Sequence, residues 1–369
     1  MLKVLFHGIY KGLKVFVTGH TGFKGSWLSQ WLLELEAHVT GYSLNVPTHP
    51  SHFEELGLKE RMQHREGDIR NLSSLKEAMQ DCKPDIVFHL AAQAIVSESY
   101  KDPVKTFETN AIGTANILEA VRSCPSVRAV VMITSDKCYE NVEWAFGYRE
   151  NDRLGGKDPY SASKACAENI IYAYWNSFFS KDQKKTLALS SARAGNVIGG
   201  GDWAQDRIIP DCMRAWAQTL PVELRNPRST RPWQHVLEPL SGYLCLGMGL
   251  LENNQNLYGE SFNFGPDASV TESVEVLVKA LSEHWPHTKW TTLAPSSDIK
   301  EASLLKLSCD KALFHMKWQA NLTFSETVAF TGSWYRGYYE EKTDAKSLTS
   351  QQIHAYQNLA YERKRVWAQ

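Results

Sequence analysis

The stretch Lys14-Val15-Phe16-Val17-Thr18 runs directly into Gly19-His20-Thr21-Gly22-Phe23-Lys24-Gly25, and an apolar segment opens at once with Ser26-Trp27-Leu28. Few local patterns restrict a fold as strongly. The β-branched run reads as a buried strand, and the residues from Gly22 to about Leu35 read as the helix after it. Glycines between the two permit a tight turn and let the backbone approach a pyrophosphate. The unpaired N–H groups of the helix N-terminus would receive that anion.

The same rhythm continues along the chain. His38–Tyr42, Ile86–Leu90, Ala129–Thr134 and Leu187–Ala192 read as further strands, with one more just before Gly67. Pro103–Arg122 and Pro159–Phe179 read as helices. Such alternation implies βαβ units, and the expected class is α/β with a Rossmann-type doubly wound parallel sheet. After about residue 195 the rhythm breaks at Gly199-Gly200-Gly201-Asp202, Asn226-Pro227 and Gly265-Pro266, which mark loops between shorter elements. We expect a dinucleotide-binding domain over 1–195. A smaller C-terminal domain over 196–369 would return some of its segments to the first.

Composition narrows the function classes. The 369 residues are 43% hydrophobic and 22% charged, enough to bury a large core. Formal net charge is −1 with Lys and Arg spread along the chain, so nucleic acid is not an expected partner. Met1–Tyr10 is interrupted by Lys3, His7 and Gly8 and lacks the apolar core of a signal peptide. There is no apolar run of membrane-spanning length, and the expected location is cytoplasmic. Cys82, Cys124, Cys138, Cys166, Cys212, Cys245 and Cys309 form no CxxC pair. They read mostly as small buried hydrophobes rather than as disulfides or metal ligands, and no metal is expected.

Two further segments carry chemistry. Ser135 ends the fifth strand, and Tyr160-Ser161-Ala162-Ser163-Lys164 opens the helix that follows. Residues i and i+4 share a helix face, so Tyr160 and Lys164 point the same way. A nearby ammonium favours the phenolate, so Tyr160 is expected to have a lowered pKa and to act as a base on a hydroxyl, with Ser135 holding the oxygen. Taken alone, Asp68 reads as the N-cap of a helix over Leu72–Met79. His89 reads as a satisfied core histidine, and Trp203 and Trp233 as core aromatics.

With these pieces together, the chain resembles the sugar-nucleotide branch of the extended short-chain dehydrogenases/reductases over nearly its whole length. This branch includes epimerases and 4,6-dehydratases. The GxxGxxG spacing of Gly19, Gly22 and Gly25 is the variant that these enzymes use. The resemblance implies an NAD site formed by Gly19, Thr21, Gly22, Phe23, Lys24 and Gly25, with Asp68 and Ile69 at the adenine. Leu90, Ala91, Ala92 and Gln93 would make room for the ribose, and Tyr160 and Lys164 would complete the site. Tyr42-Ser43-Leu44-Asn45 departs from the pattern, because the acid expected at the 2′-hydroxyl is missing. No Arg stands there for an extra phosphate, so NAD is expected rather than NADP.

Within that branch, dTDP-glucose dehydratases carry Thr-Asp-Glu where this chain has Ser135-Asp136-Lys137. The segments Ser135–Asn141, Gly147–Glu150 and Leu154–Gly156, like Gly19–Trp27, resemble the CDP-glucose 4,6-dehydratases. The implied reaction converts CDP-glucose to the 4-keto-6-deoxy sugar and water. Tyr160 would take the O4 proton, Lys137 the C5 proton, and Asp136 would protonate the departing O6. As a base Lys137 must be neutral, and Lys164 with the positive nicotinamide would disfavour its protonation. Asn196, Arg207 and Arg231 are the implied substrate contacts, and Ser135 would hold the sugar oxygen. Pro232 stands where the family has Asp, which removes that carboxylate from consideration. A 4-epimerase would also need Ser135, Tyr160, Lys164 and NAD but not the Asp136-Lys137 pair. A non-catalytic NAD-binding regulator would lose the Tyr/Lys pair. A homodimer is implied, with helices 103–122 and 159–179 packing as a four-helix bundle. No motif singles out cytosine among the nucleobases.

Overall fold

The computed structural model describes residues 4–181, 187–292 and 304–369. Met1–Lys3 of the N-terminal stretch lie outside the described residues. Seven parallel strands form the central sheet: β1 (Lys14–Thr18), β2 (His38–Ser43), β3 (Gln63–Glu66), β4 (Ile86–His89), β5 (Ala129–Ile133), β6 (Ala188–Ala194) and β7 (Ser261–Phe264). Their spatial order is β7-β6-β5-β4-β1-β2-β3. The order reverses between β1 and β4, the switch point at which sheets of this kind form a ligand crevice beyond the carboxyl ends of the strands.

Alternation along β1 shows why the sheet is covered on both faces. Val15 and Val17 pack into one hydrophobic cluster and Phe16 into another. The first face carries α1 (Phe23–Glu34). The second carries α2 (Leu72–Cys82), α3 (Pro103–Phe107 continuing through a wider turn, Glu108–Ile112, to Gly113–Arg122) and α4 (Pro159–Tyr174, extended by Trp175–Phe179). These elements match the sequence reading to within a few residues. One cap differs: Asn71, not Asp68, accepts the Ser74 N–H at the start of α2, because the Asp68 carboxylate is held by Arg70.

Past residue 195 the chain returns to the sheet. The helix α5 (Leu237–Leu251, LEPLSGYLCLGMGLL) is apolar nearly all round and buried at every position. It packs on β5 and β6, and β7 then adds the last strand. Its Gly242 lies so close to Phe264 that a Cβ would stand 2.2 Å from the ring. The remaining strands here are only two or three residues long: Val197–Ile198 pairs with Gln234–His235, and Thr230–Arg231 with Glu272–Ser273. Two C-terminal helices, α6 (Phe324–Tyr339) and α7 (Ala345–Glu362), cover the α1 side. Trp203 and Trp233 are core aromatics, their indole N–H groups bonded to Tyr339 and to the Glu272 carbonyl. All seven cysteines are free thiols, four of them buried. Among the described residues no helix is long and apolar enough to cross a membrane, and no His/Cys/Asp/Glu group is placed to hold a metal ion.

Candidate active site

The turn between β1 and α1 is shaped by backbone contact. Gly19 has φ +73°, and a Cβ there would stand 2.7 Å from the Ala91 nitrogen and 3.0 Å from the Leu90 carbonyl carbon. A Cβ on Gly25 would stand 2.1 Å from the Gly19 oxygen. Gly22 differs: its nearest neighbour would be 3.4 Å away, and its φ of −80° suits any residue. Nothing inside the protein requires a glycine at 22, whereas close approach of a ligand would. Gly22 is also the N-cap of α1 and gives no side-chain cap to the first-turn amides. An uncapped helix N-terminus behind a glycine turn is a fitting cradle for a pyrophosphate.

Several polar side chains around this cradle are paired within the protein. Thr21 Oγ1 lies 2.8 Å from Ser43 Oγ and donates to the Leu44 carbonyl, fastening the turn to the end of β2. Asp68 accepts the Arg70 side chain at 2.6 and 2.9 Å, which holds its carboxyl below the usual range. Ile69 is buried, and its carbonyl accepts from Asn116. Gln93 braces its own loop by donating to Thr106, accepting from the Ile95 N–H and bonding Asn110 through its main chain. His89 is buried against Thr18, and burial, with help from Lys164, pushes its pKa down to about 3. It is the neutral core histidine that the sequence suggested.

Across the crevice the construction is electrostatic. Ser135 Oγ donates to Asp136 Oδ1 at 3.0 Å and accepts the Lys137 N–H at 3.2 Å. Asp136 is buried, and its Oδ2 has no hydrogen-bond partner in the protein. Gly195, just past β6, leaves room for that oxygen, since a Cβ would lie 3.0 Å from it. Burial pushes the Asp136 pKa up, against the charges of Lys137, Lys24 and Arg231 and the Ser135 hydrogen bond. A carboxyl whose pKa is raised in a tight pocket is suited to general-acid work. Lys137 is half-buried beside it.

Helix α4 begins where the chemistry needs it. Asp158 caps it by accepting the Ser161 N–H at 2.9 Å, and Pro159 fills the first position. Tyr160 and Lys164 therefore lie one turn apart, both buried. The expected lowering of the Tyr160 pKa is not found. Burial wins and pushes the phenol up to about 12, with Asp136 acting in the same direction while Ser135 and Arg207 pull against it. Burial also lowers Lys164 to about 8, against Cys138 and Glu168.

Lys24 belongs to this charged side as well as to the cradle. Burial and the Arg207 charge bring it down to about 8, against Asp136, and Lys164 adds to the lowering. Ser135, Asp136, Lys137, Tyr160, Lys164, Lys24, Arg207 and Arg231 thus share one electrostatic neighbourhood. Arg207 is held by Asp202 at 2.8 Å, and Arg231 is buried on its short strand. The Asn196 carbonyl accepts from the Gln234 N–H at 3.4 Å. The sequence reading missed Asp202 as the anchor of Arg207. It also missed Glu168, which continues the Tyr160–Lys164 spacing by one more turn.

The family model described as GDP-mannose 4,6 dehydratase matches residues 16–331. The chain belongs to the GDP-mannose 4,6-dehydratase family. It is similar to a CDP-glucose 4,6-dehydratase of Salmonella typhimurium, at 46% identity over 331 residues that cover 89% of this chain and 92% of the relative. Two solved structures share the fold of this family member. One is a UDP-glucose 4-epimerase from Thermotoga maritima with UDP-glucose, 21% identical, with a TM-score of 0.76 and coverage of 89% and 100%. The other is a dTDP-glucose 4,6-dehydratase from Bacillus anthracis in complex with NAD, 20% identical, with a TM-score of 0.72 and coverage of 89% and 98%.

Proposed function

We infer that this protein is a hydro-lyase acting on CDP-glucose, a 4,6-dehydratase that uses NAD and releases the 4-keto-6-deoxy sugar nucleotide and water. The observation that carries the reading is the buried Asp136 with its unpartnered Oδ2, next to Lys137 and joined to the Tyr160 side by Ser135. An epimerase has no use for an acid in that position.

Gly19, Gly22 and Gly25 with the first turn of α1 would hold the NAD pyrophosphate, and Lys24 would neutralise it. Thr21 would keep the turn against β2. Asp68 and Ile69 would border the adenine, and Leu90–Gln93 the ribose. Bound NAD would supply the redox chemistry by accepting hydride from C4 and giving it back at C6. Tyr160 would take the O4 proton as the phenolate, which the Lys164 ammonium and the positive charge of bound NAD would favour against burial, and Ser135 would hold O4 in place. Once C4 is a ketone the C5 proton is acidic; Lys137 would remove it and return a proton to C5 when hydride reaches C6. Asp136 protonates the departing O6, so water leaves. Arg207, aligned by Asp202, and Arg231 would bind the diphosphate, with Asn196 close by. Residues 196–369 carry most of this substrate side, and the division at 195 is part of the proposal.

We also propose a homodimer through α3 and α4. Val104, Ile112 and Tyr172 are exposed on these helices, a placement that suits a subunit interface.

Incubating purified protein with CDP-, dTDP-, UDP- and GDP-glucose tests the reading. The 4-keto-6-deoxy product should form from CDP-glucose without added reductant. Conversion of dTDP-glucose alone, or C4 inversion without water loss, would overturn it.

A further inference from the structure

The one nearly inaccessible ion pair among the described residues lies behind the catalytic groups and takes no part in the chemistry above. Glu168 and Arg193 meet at 2.7 Å, with side chains only 2% and 3% exposed. Glu168 follows Lys164 by four residues, so Tyr160, Lys164 and Glu168 form one buried stripe along α4. Its carboxylate also accepts from Thr134, from Ser191 at 2.9 Å and from Ser261 at 3.1 Å. These partners lie on or beside β5, β6 and β7. Arg193 reaches on to the Tyr139 hydroxyl at 2.8 Å and the Glu150 carbonyl at 3.0 Å, with its guanidinium 4.9 Å from the Tyr139 ring centre. Tyr139 in turn donates to Asn263 on β7.

The consequence is geometric first. Thr134 immediately precedes Ser135-Asp136-Lys137, and Tyr139 immediately follows the turn that carries them. One buried carboxylate therefore ties the start of the acid–base segment to the helix that carries Tyr160 and Lys164, and its arginine ties down the end. A buried ion pair bought at the cost of desolvation is weak support for stability alone. Its placement here favours a role in the site.

We propose that Glu168 is a positioning residue that keeps Lys164 protonated and holds it, with Tyr160, opposite Ser135, while Arg193 restrains Glu168 from neutralising Lys164 more fully. This rests on the dehydratase reading for the identity of the reaction but not for the titration that it predicts. The groups bearing on Lys164 are Glu168 and Tyr160 on its own helix, Cys138 after β5, His89 at the end of β4, and Lys24 on α1. Arg193 on β6 acts through Glu168. Burial opposes the ammonium, and Cys138 and Glu168 favour it; burial raises the Cys138 thiol, which leaves Glu168 as the standing negative charge of the two. Buried among cations, Lys164 needs a nearby carboxylate to stay charged at neutral pH. Side chains four apart on a helix stand roughly 5–6 Å from each other at Cβ, and removing an opposite charge at such range shifts a pKa by roughly 1–3 units.

The test compares Glu168→Gln, Glu168→Asp and the double variant Glu168→Gln/Arg193→Gln. The first readout is the titration of the Lys164 side-chain nitrogen by NMR in protein free of substrate and cofactor, assigned with Lys164→Met. The second is the basic limb of the pH–rate profile for oxidation of CDP-glucose on the NAD-loaded enzyme. Glu168→Gln should move both to lower pH by about one unit or more, because Lys164 loses its proton more easily. Glu168→Asp should keep both near the wild type. The double variant should recover part of the shift, since the repulsion from Arg193 goes with the attraction. It also keeps the test open if the single variant does not fold. An unmoved Lys164 titration in both Gln variants would overturn the proposal. Failure of the wild type to dehydrate CDP-glucose would overturn the function reading and leave the titration result standing.

Discussion

The two sides of the crevice are built from different materials. At the end of β1, three glycines and the first turn of α1 shape the surface, and several polar side chains nearby are satisfied in pairs: Thr21 with Ser43, Asp68 with Arg70, Gln93 with Thr106. At the ends of β5 and β6, buried side chains carry the site. Asp136 keeps an unpartnered oxygen and Lys164 is drawn down to about 8, as is Lys24, which joins this side from α1. A surface made of backbone recognises by shape, so small steric changes should damage it. A surface made of buried charge works by displaced protonation equilibria, so isosteric changes should damage it without disturbing the fold.

The largest effect is expected on the steric side. Gly25→Ala forces a Cβ into the Gly19 carbonyl, and the turn has no flexible side chain to yield. Overpacking of this kind should lower Tm by roughly 5–10 °C or abolish soluble expression. A variant with wild-type melting would mean that the turn is looser than its geometry. On the charged side, Tyr160→Phe should leave Tm nearly unchanged and abolish oxidation at C4, so adding CDP-glucose should give no reduced-nicotinamide absorbance. Retained absorbance would show that another group takes the O4 proton.

Arg231→Ala comes next, with KM for the sugar nucleotide rising roughly 10–100-fold, the usual worth of hydrogen bonds to a charged group, and cofactor affinity unchanged. An unchanged KM would place the diphosphate elsewhere. Gly22→Ala should give the smallest change and sharpen the contrast most. Its Cβ has room within the protein, so Tm should hold within about 2 °C while NAD affinity falls about tenfold. Equal losses of stability in Gly22→Ala and Gly25→Ala would erase the distinction between packing glycine and ligand glycine.

Which parts were legible in the sequence follows from the same contrast. The glycine turn, the strands from β1 to β6 and the Tyr160–Lys164 stripe announce themselves through local spacing, because each is made by neighbours in the chain. Asp68 misled as a helix cap because its side chain turns to Arg70, two residues on, leaving Asn71 to cap α2. The raised Tyr160 pKa was out of reach, since burial is set by distant segments. The pairing of Val197–Ile198 with Gln234–His235 joins two-residue elements too short for periodicity, and the Glu168–Arg193 pair joins a helix to a strand 25 positions on, a contact set only by tertiary packing. Glu168 did leave a trace, a third position at four-residue spacing after Tyr160 and Lys164.

Lys137→Met tests the central claim most directly, because it keeps side-chain length but cannot accept a proton. In the proposed reaction oxidation at C4 needs Tyr160, Lys164 and NAD, whereas water loss needs a base at C5 and an acid at O6. On mixing Lys137→Met enzyme with CDP-glucose in deuterated water, reduced nicotinamide should still appear. Dehydration should fall by about 10²–10⁴-fold, the usual worth of general acid–base catalysis, and deuterium incorporation at C5 should fall with it. Dehydration at the wild-type rate would contradict the account, make Lys137 a structural cation and move the search for the base to Glu140, which is paired with Arg153 at 3.0 Å.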